Sequence, residues 1–263
     1  MRSRTKGFGT FYLSLFFVVL YFPVLSVILY SFNSSPSTAK WAGFTLDWYR
    51  ELFSDGVIGQ SFKTSIQVAL LTSVLSAVLG TAAAIISLSV SKRVEKTIQG
   101  VMILPLLVPE VALGISLLIF FTALGLPFGH LTLVLSHSLF CVPYIYIMVQ
   151  LRLKEIDKSV IEAARDLGAT RGQTIRTIII PLVMPSIITA SLLALAMSLD
   201  DVVISSYMSG PRSTTLPVHI FSMMRVGVTP KINALCTLIL VGTFFIVGLG
   251  QLAGKKNRIK EEF

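Results

Sequence analysis

Long runs of apolar residues alternate with short polar segments along most of the chain. A helix needs about 20 mainly apolar residues to cross the hydrocarbon core of a bilayer. Runs of that length occupy residues 8–32, 64–90, 98–124, 130–151, 182–208 and 232–253. The pattern predicts an all-α, polytopic membrane protein with six transmembrane helices in a single domain, residues 1–263. The first run is longer than a signal-peptide core and carries no evident cleavage site, so we expect it to remain as a span.

Composition and charge agree with this prediction and also predict how the chain is oriented in the membrane. The chain is 54% hydrophobic and only 13% charged, with a mean hydropathy of +0.80, whereas soluble domains carry about 25% charged residues. The net charge of +9 is explained by basic residues that flank spans on the cytoplasmic side, so we expect no nucleic-acid partner. Sixteen of the 22 Lys and Arg residues lie in the two terminal segments and after the second and fourth spans. We therefore expect both termini on the cytoplasmic side.

The longest of the basic segments, residues 152–181, has an ordered pattern. It contains KSVIEAARDLGATRGQTIRTIIIP, residues 158–181. Helix-forming residues run from Ser159 to Leu167, and Gly168 permits a sharp turn. A second helix is predicted from near Thr170 to the isoleucines before Pro181. Such a helical hairpin fits a surface that docks into another protein, although an ordinary amphipathic hairpin has the same pattern.

Signals for chemistry within the chain are weak. The nearest match to the phosphate-binding loop G-x-x-x-x-G-K-[ST] is GLGQLAGKK at 248–256, which fails at Leu249 and at Lys256. The three histidines have no metal-ligand spacing, and we interpret them as packing, span-end or interfacial residues. The two cysteines lie in apolar runs and imply no disulfide framework. We therefore expect no enzyme activity, no metal site and no cofactor in this chain.

Acidic residues inside the predicted spans require an explanation. Asp200 and Asp201 lie in the fifth span and Glu110 in the third. A carboxylate at a helix centre costs about 2.5–3.5 kcal/mol on insertion scales, so such residues usually face an aqueous path or a bundle interior. Adjacent residues of a regular helix point about 100° apart, so the two aspartates cannot face the same way. One interpretation is a substrate path; the other is a polar network that joins Asp200 or Asp201 to Ser198 or Ser205.

The hairpin resembles a known signature. EAA, three residues, Gly, nine residues and I-x-L-P mark the EAA loop of ABC importer permeases. Ile180 replaces the usual leucine of that pattern. The resemblance implies the helical type I importer fold, with this loop seated in a cleft of a cytoplasmic ATPase. It assigns ATPase coupling to Glu162, Ala163, Ala164, Arg165, Gly168, Ile178 and Pro181.

A second resemblance concerns the transported solute. The segment 198–240, together with SFNSS, WAGFTLDWY and LVPEVALGIS, is similar to spermidine/putrescine permeases of the C type. In a path for a polycation, acidic groups replace the hydration shell of the cation, and aromatic rings contact its amines. The resemblance thus implies a path that includes Asp200, Asp201, Glu110 and Tyr207. Permeases for opines and other amine-bearing solutes are the alternative, and an ion-coupled secondary transporter is a more distant one.

The resemblance also implies partners. ABC importer permeases of this kind work in the inner membrane with a second permease chain. Two ATPase subunits, which bind ATP and Mg, dock below, and an extracytoplasmic solute-binding protein delivers the substrate. We expect the same assembly here, with import by alternating access.

Overall fold

The computed structural model describes the backbone of residues 2–261 and the side chains of residues 12–245 except that of residue 158. The regular secondary structure of the described chain is helical, apart from one isolated bridge between Asn33 and Phe44. It forms two compact units, residues 1–59 with 220–263 and residues 60–219. The helices are α1 (Arg2–Tyr30), α2 (Asp47–Ser54), α3 (Gly56–Ser87), α4 (Lys92–Leu107), α5 (Glu110–Ala123), α6 (His130–Glu155), α7 (Lys158–Asp166), α8 (Arg171–Thr174), α9 (Ile180–Asp200), α10 (Val203–Met208), α11 (Leu216–Val226) and α12 (Pro230–Glu261).

The predicted spans correspond to helices, with differences in number and extent. Among the described residues, four continuous helices are long and apolar enough to cross a membrane: Tyr12–Tyr30, Gly56–Ser87, His130–Glu155 and Arg171–Asp200. A pair of helices bent at a short break, Lys92–Leu107 and Glu110–Ala123, gives a fifth if the pair counts as one span. The sixth prediction, 232–253, falls on α12, whose described apolar part, Pro230–Phe245, is shorter than a full span. The rest of that run lies outside the described side chains.

The third predicted span, 98–124, is not one continuous helix. It divides into α4 and α5, which meet at an angle of 104°. Pro109 lies at the bend with an extended backbone, φ −55° and ψ 134°, and Val108 before it is extended as well. Proline supplies no N–H for a helical hydrogen bond and disfavours helical geometry in the preceding residue. Glu110 consequently becomes the first residue of α5.

The fifth predicted span, 182–208, is shifted toward the N-terminus. Helical structure runs without interruption from Arg171 to Asp200, so the second hairpin helix does not end before Pro181 as predicted. A π-helical turn, Ile175–Ile179, precedes this proline. The wider turn accommodates the missing N–H and the bulky ring. The helix then ends at Asp200, eight residues before the predicted boundary.

Helices α6 and α9 form the main packing contact of the unit 60–219. Their core includes Cys141, Ile145, Tyr146, Val183 and Ala190. Helix α3 approaches α6 closely at Gly80, where an added Cβ would lie 2.9 Å from Ile145. A second apolar cluster joins α5, α6 and α10. These contacts fix the end of α9 beside α6, which positions the site described below.

The other unit, residues 1–59 with 220–263, contains an ion cluster between α2 and α12. The Lys231 ammonium lies 2.7 Å from a Glu51 carboxylate oxygen and 2.9 Å from one of Asp55. The hydrogen bond from Lys231 lowers the pKa of Asp55 below its ordinary value. By contrast, the described part of α1, Tyr12–Tyr30, is apolar, and none of its residues is buried by the rest of the described chain. An apolar helix with such an exposed surface is typical of contact with lipid or another chain.

Candidate substrate path and coupling hairpin

Helix α9 breaks where the two aspartates occur. Asp200 is its last residue, and Asp201 is extended, with φ −64° and ψ 125°. The chain turns through Val202 and enters the short helix α10 at Val203. The two carboxylates are therefore separated by a change of backbone conformation and do not belong to one regular helix.

The Asp201 side chain points inward. It is 7% exposed, and one carboxylate oxygen accepts the backbone N–H of Ser205 at 2.7 Å. The other oxygen accepts the N–H of Ile204 at 3.4 Å. The first N–H groups of a helix have no partner within the helix, so this carboxylate satisfies the start of α10.

His137 on α6 lies beside Asp201 and Ser205, and sequence analysis missed its role there. Its side chain is completely buried. Nδ1 lies 2.7 Å from the Ser198 hydroxyl, and Nε2 lies 3.0 Å from the Ser205 hydroxyl and 3.4 Å from Asp201 Oδ2. Sequence analysis interprets the histidines as packing, span-end or interfacial residues, and it cannot detect these partners because they lie 61 and 68 positions away. The available signal was a histidine in the middle of an apolar span, which requires polar partners.

Asp200 and Glu110 differ from Asp201 because both are exposed. Glu110 begins α5, where the helix dipole favours a negative charge, whereas Asp200 ends α9, where the dipole disfavours one. The carbonyls of the last turn of α9 add partial negative charge beside Asp200. The end of α9 is consequently an electronegative position that favours a cation.

Tyr207 lies in α10 and packs its ring against α5. A Cβ added at Gly114 would approach ring carbon Cδ2 of Tyr207 to 2.6 Å, so the glycine leaves room for the ring. The half-buried ring joins the cluster of Phe121, Leu133 and Met208. This packing joins α10 to α5.

The hairpin has the local signals that its sequence predicts. The Asp157 carboxylate accepts the N–H of Ser159 at 3.0 Å at the start of α7, and this backbone bond lowers the pKa of Asp157. Gly168 has φ +87°, a conformation that favours glycine. Thr170 and Gln173 exchange hydrogen bonds across the first turn of α8 in a capping box.

The two alanines of the signature face different ways. Ala164 is buried against its own unit, whereas Ala163 is exposed. Val160 and Leu167 are exposed on the same helix, and Leu167 is 89% exposed. Of the other predicted coupling residues, Ile178 is half-buried, and the exposed ones are Glu162, Arg165, Gly168 and Pro181. A cleft of about 230 Å³ separates the inner face of the hairpin from the end of α3, with Glu162, Arg165 and Arg171 at its rim.

Apolar spans, a broken pair of helices and an ordered EAA hairpin define the chain as a transmembrane transport component. The family described as "Binding-protein-dependent transport system inner membrane component" matches residues 76–255. The chain belongs to this family. It is a multi-pass inner-membrane permease subunit of an ABC importer.

Relatives of known function resemble nearly the whole chain. It is 43% identical over 255 residues to the putrescine transport system permease protein PotI of Escherichia coli K12, covering 93% of this chain and 91% of that one. It is 35% identical over 244 residues to the spermidine/putrescine permease PotC of the same strain, covering 93% and 92%. The PotC protein of Haemophilus influenzae is 34% identical over 241 residues, covering 92% and 94%.

Solved structures share the fold at low identity. A bacterial ABC transporter that imports the acidic polysaccharide alginate contains a chain with a TM-score of 0.76 and 15% identity, covering 95% of this chain and 96% of that one. A second alginate transporter structure, in complex with an alginate-bound periplasmic protein, gives a TM-score of 0.73 and 16% identity, with coverages of 94% and 93%. The predicted importer fold is confirmed by these similarities.

Proposed function

We propose that this chain is the permease through which an ATP-driven importer moves polyamines, with putrescine as the main solute. The observation that carries the proposal is the 43% identity to the putrescine permease PotI across nearly the entire chain. Identity to the spermidine/putrescine permeases is lower, at 34–35%. Putrescine is therefore the first solute to test, and spermidine is the second.

The machine that this proposal requires has four further subunits. A second permease chain completes the path; the relatives PotI and PotC are each permease proteins of a transport system. A solute-binding protein delivers the polyamine, which is supported by the family description and by the related importer with a periplasmic protein. Two ATPase subunits bind ATP and Mg and supply the energy.

The hairpin around α7 carries the coupling. Its exposed residues Val160 and Ala163 lie in α7 and Leu167 is the C-cap of that helix; their spacing of three or four positions places them along one side of the hairpin. Glu162 and Arg165 flank that face. This combination of an apolar stripe and adjacent charges suits a cleft in the ATPase. Coupling to a cytoplasmic ATPase requires the hairpin to be cytoplasmic, and we propose that both termini lie on the same side.

Asp200 and Glu110 are the acidic groups best suited to the path. Both are exposed, and both lie at helix breaks. In membrane transporters, ends of broken helices commonly bind ions and substrates near the middle of the bilayer. Asp200 combines its own charge with the negative end of α9, which suits a primary ammonium group.

Uptake by the whole complex tests this proposal. The chain and its partner subunits are reconstituted in vesicles, with binding protein and labelled putrescine on one side and ATP on the other. We expect uptake that needs ATP, resists a protonophore, and is competed by putrescine more strongly than by spermidine. Competition by an opine but not by polyamines would instead identify another amine solute. Uptake without ATP that collapses with the proton gradient would contradict the importer class.

A further inference from the structure

We propose that His137 is a positioning residue that holds the break between α9 and α10, and thereby turns Asp201 inward while Asp200 remains exposed. The expected effect on uptake rests on the proposed transport function, whereas the geometry of the break does not. The two neighbouring carboxylates then have different roles: Asp200 faces the path, and Asp201 maintains the shape of the path.

The first step of the argument is the hydrogen-bond chain through the imidazole. An ionised carboxylate only accepts hydrogen bonds, and a neutral imidazole donates from one nitrogen and accepts at the other. Nε2 lies 3.0 Å from Ser205 Oγ and 3.4 Å from Asp201 Oδ2, so we assign the imidazole proton to Nε2. Nδ1 then accepts from the Ser198 hydroxyl at 2.7 Å.

The second step is what this chain connects. Ser198 belongs to the last turn of α9, Ser205 belongs to α10, and His137 belongs to α6. The imidazole therefore joins both sides of the break to a third, firmly packed helix. Ser198, Ser205 and His137 are all buried, where a hydrogen bond does not compete with bulk water.

The third step concerns Asp201 itself. A buried carboxylate is costly unless its charge is compensated by hydrogen bonds. Asp201 receives them from the N–H groups of Ile204 and Ser205, and the Nε2–H of His137 lies beside it. Without the imidazole, the carboxylate loses a polar neighbour that keeps it inside the protein. Rotation of Asp201 toward Asp200 would then release the start of α10.

Two substitutions of His137 separate this role from simple packing. Glutamine places an amide near the position of Nε2 and retains a donor toward Ser205 and Asp201. Asparagine places its amide near Nδ1 and retains only the contact with Ser198. Loss of a buried partner costs about 1–3 kcal/mol, which corresponds to roughly 5- to 150-fold in a two-state equilibrium. We therefore expect maximal uptake to fall about tenfold in His137→Asn and His137→Leu, with His137→Gln within about threefold of wild type.

A conformational readout keeps this test independent of the transported solute. In the complex with Cys141 and Cys236 replaced by alanine, Ile204→Cys is labelled with a small thiol reagent. Ile204 is 1% exposed, so labelling is slow while the break is held. We expect His137→Asn and His137→Leu to speed it about tenfold and His137→Gln to leave it slow. If the wild-type complex moved no polyamine, the proposed function would fail, but this labelling result would still stand.

Controls define the outcomes that overturn the proposal. Ser138→Ala removes a buried hydroxyl that, among the described residues, donates to the Val134 carbonyl on the same helix, and it should change neither uptake nor labelling. Equal behaviour of His137→Gln and His137→Asn would overturn the assignment to Asp201. If all His137 variants fail to reach the membrane, Ser205→Ala replaces them, because it removes the partner of Nε2 and keeps the backbone bond to Asp201. Unchanged labelling in that variant would leave His137 with a purely stabilising role and refute the proposal.

Discussion

The hairpin of residues 157–181 and the break at residues 200–205 both interrupt helical structure, but they are held in opposite ways. The hydrogen bonds that shape the hairpin link residues two to five positions apart, as in Asp157 with Ser159, Thr170 with Gln173 and Ala164 with Ala169. At the break, His137 reaches Ser198 and Ser205, 61 and 68 positions away. The caps formed by Asp157 and Thr170 are exposed, whereas the contacts of His137 are buried. The hairpin is a local structure presented to a partner, and the break is a tertiary structure maintained from within.

This difference predicts how each region responds to change. Water replaces a lost hydrogen bond at an exposed position, so the cost there is close to that of a helix cap. A buried donor or acceptor without a partner bears its full desolvation cost. Substitutions at the break should therefore impair the folded protein, and substitutions in the hairpin should impair coupling with little effect on the amount of protein.

The largest effect is expected for Asp201→Leu. Leucine leaves the Ser205 N–H without its acceptor, at a cost of about 1–3 kcal/mol for a buried group. We expect the melting temperature of the purified complex to fall by about 5 °C and uptake to be nearly lost. Asp201→Asn keeps an acceptor oxygen for α10 and should lose less of both. Equal losses in the two variants would indicate that the negative charge, and not the hydrogen bond, is essential at this position.

A smaller effect, confined to coupling, is expected for Gly168→Val. At φ +87° a β-branched residue is strained by about 1–2 kcal/mol, although an added Cβ would meet no atom within 4 Å. Asparagine tolerates this conformation better. We expect polyamine-stimulated ATP hydrolysis to fall about fivefold in Gly168→Val and about twofold in Gly168→Asn. Membrane levels should stay at wild type in both; reduced levels would mean that the turn also supports folding.

The same contrast explains which features the sequence predicts. The glycine turn and the helix starts of the hairpin follow from neighbouring residues, and the EAA spacing is confined to 20 residues, so these features could be recognised directly. Apolar run length likewise located most spans. Apolar run length treats 98–124 as one span and therefore does not predict the 104° bend at Pro109.

The roles of the acids depend on tertiary structure and were only partly predictable. Sequence analysis left Asp201 open between a substrate path and a network with Ser198 or Ser205. The observed hydrogen bond joins it to Ser205. The histidine that completes the cluster carries no motif, and only the packing of α6 against α9 brings it there. Asp200 is exposed and the Asp201 side chain is nearly buried. This difference arises at the helix break, which the apolar pattern of the sequence does not predict.

A still smaller effect is expected for Thr170→Ala. The threonine hydroxyl accepts the N–H of Gln173 at 3.3 Å, and the Gln173 side chain accepts the N–H of Thr170 at 2.8 Å. Loss of a helix cap costs about 1 kcal/mol, which should lower stimulated ATP hydrolysis about twofold. Thr170→Ser retains the capping oxygen and serves as the matched control. A serine variant as impaired as the alanine variant would assign the effect to the lost methyl group instead.

The smallest effect is expected at Asp157, and it can be isolated by pH. The hydrogen bond from Ser159 holds the pKa of the Asp157 carboxyl below its ordinary value of 3.8. A depressed pKa means that the carboxylate's contribution to the start of α7 is fully present above that ordinary value and is lost only as pH falls through the folded pKa. Between pH 5.5 and 8, therefore, the ratio of stimulated ATP hydrolysis in Asp157→Ala to that in wild type should be slightly below one and constant. Asp157→Ser, which retains a capping oxygen, should restore the ratio to one. A ratio that changes across this range would show that Asp157 titrates far above its ordinary value, and that the hairpin is held by charge contacts beyond its own sequence.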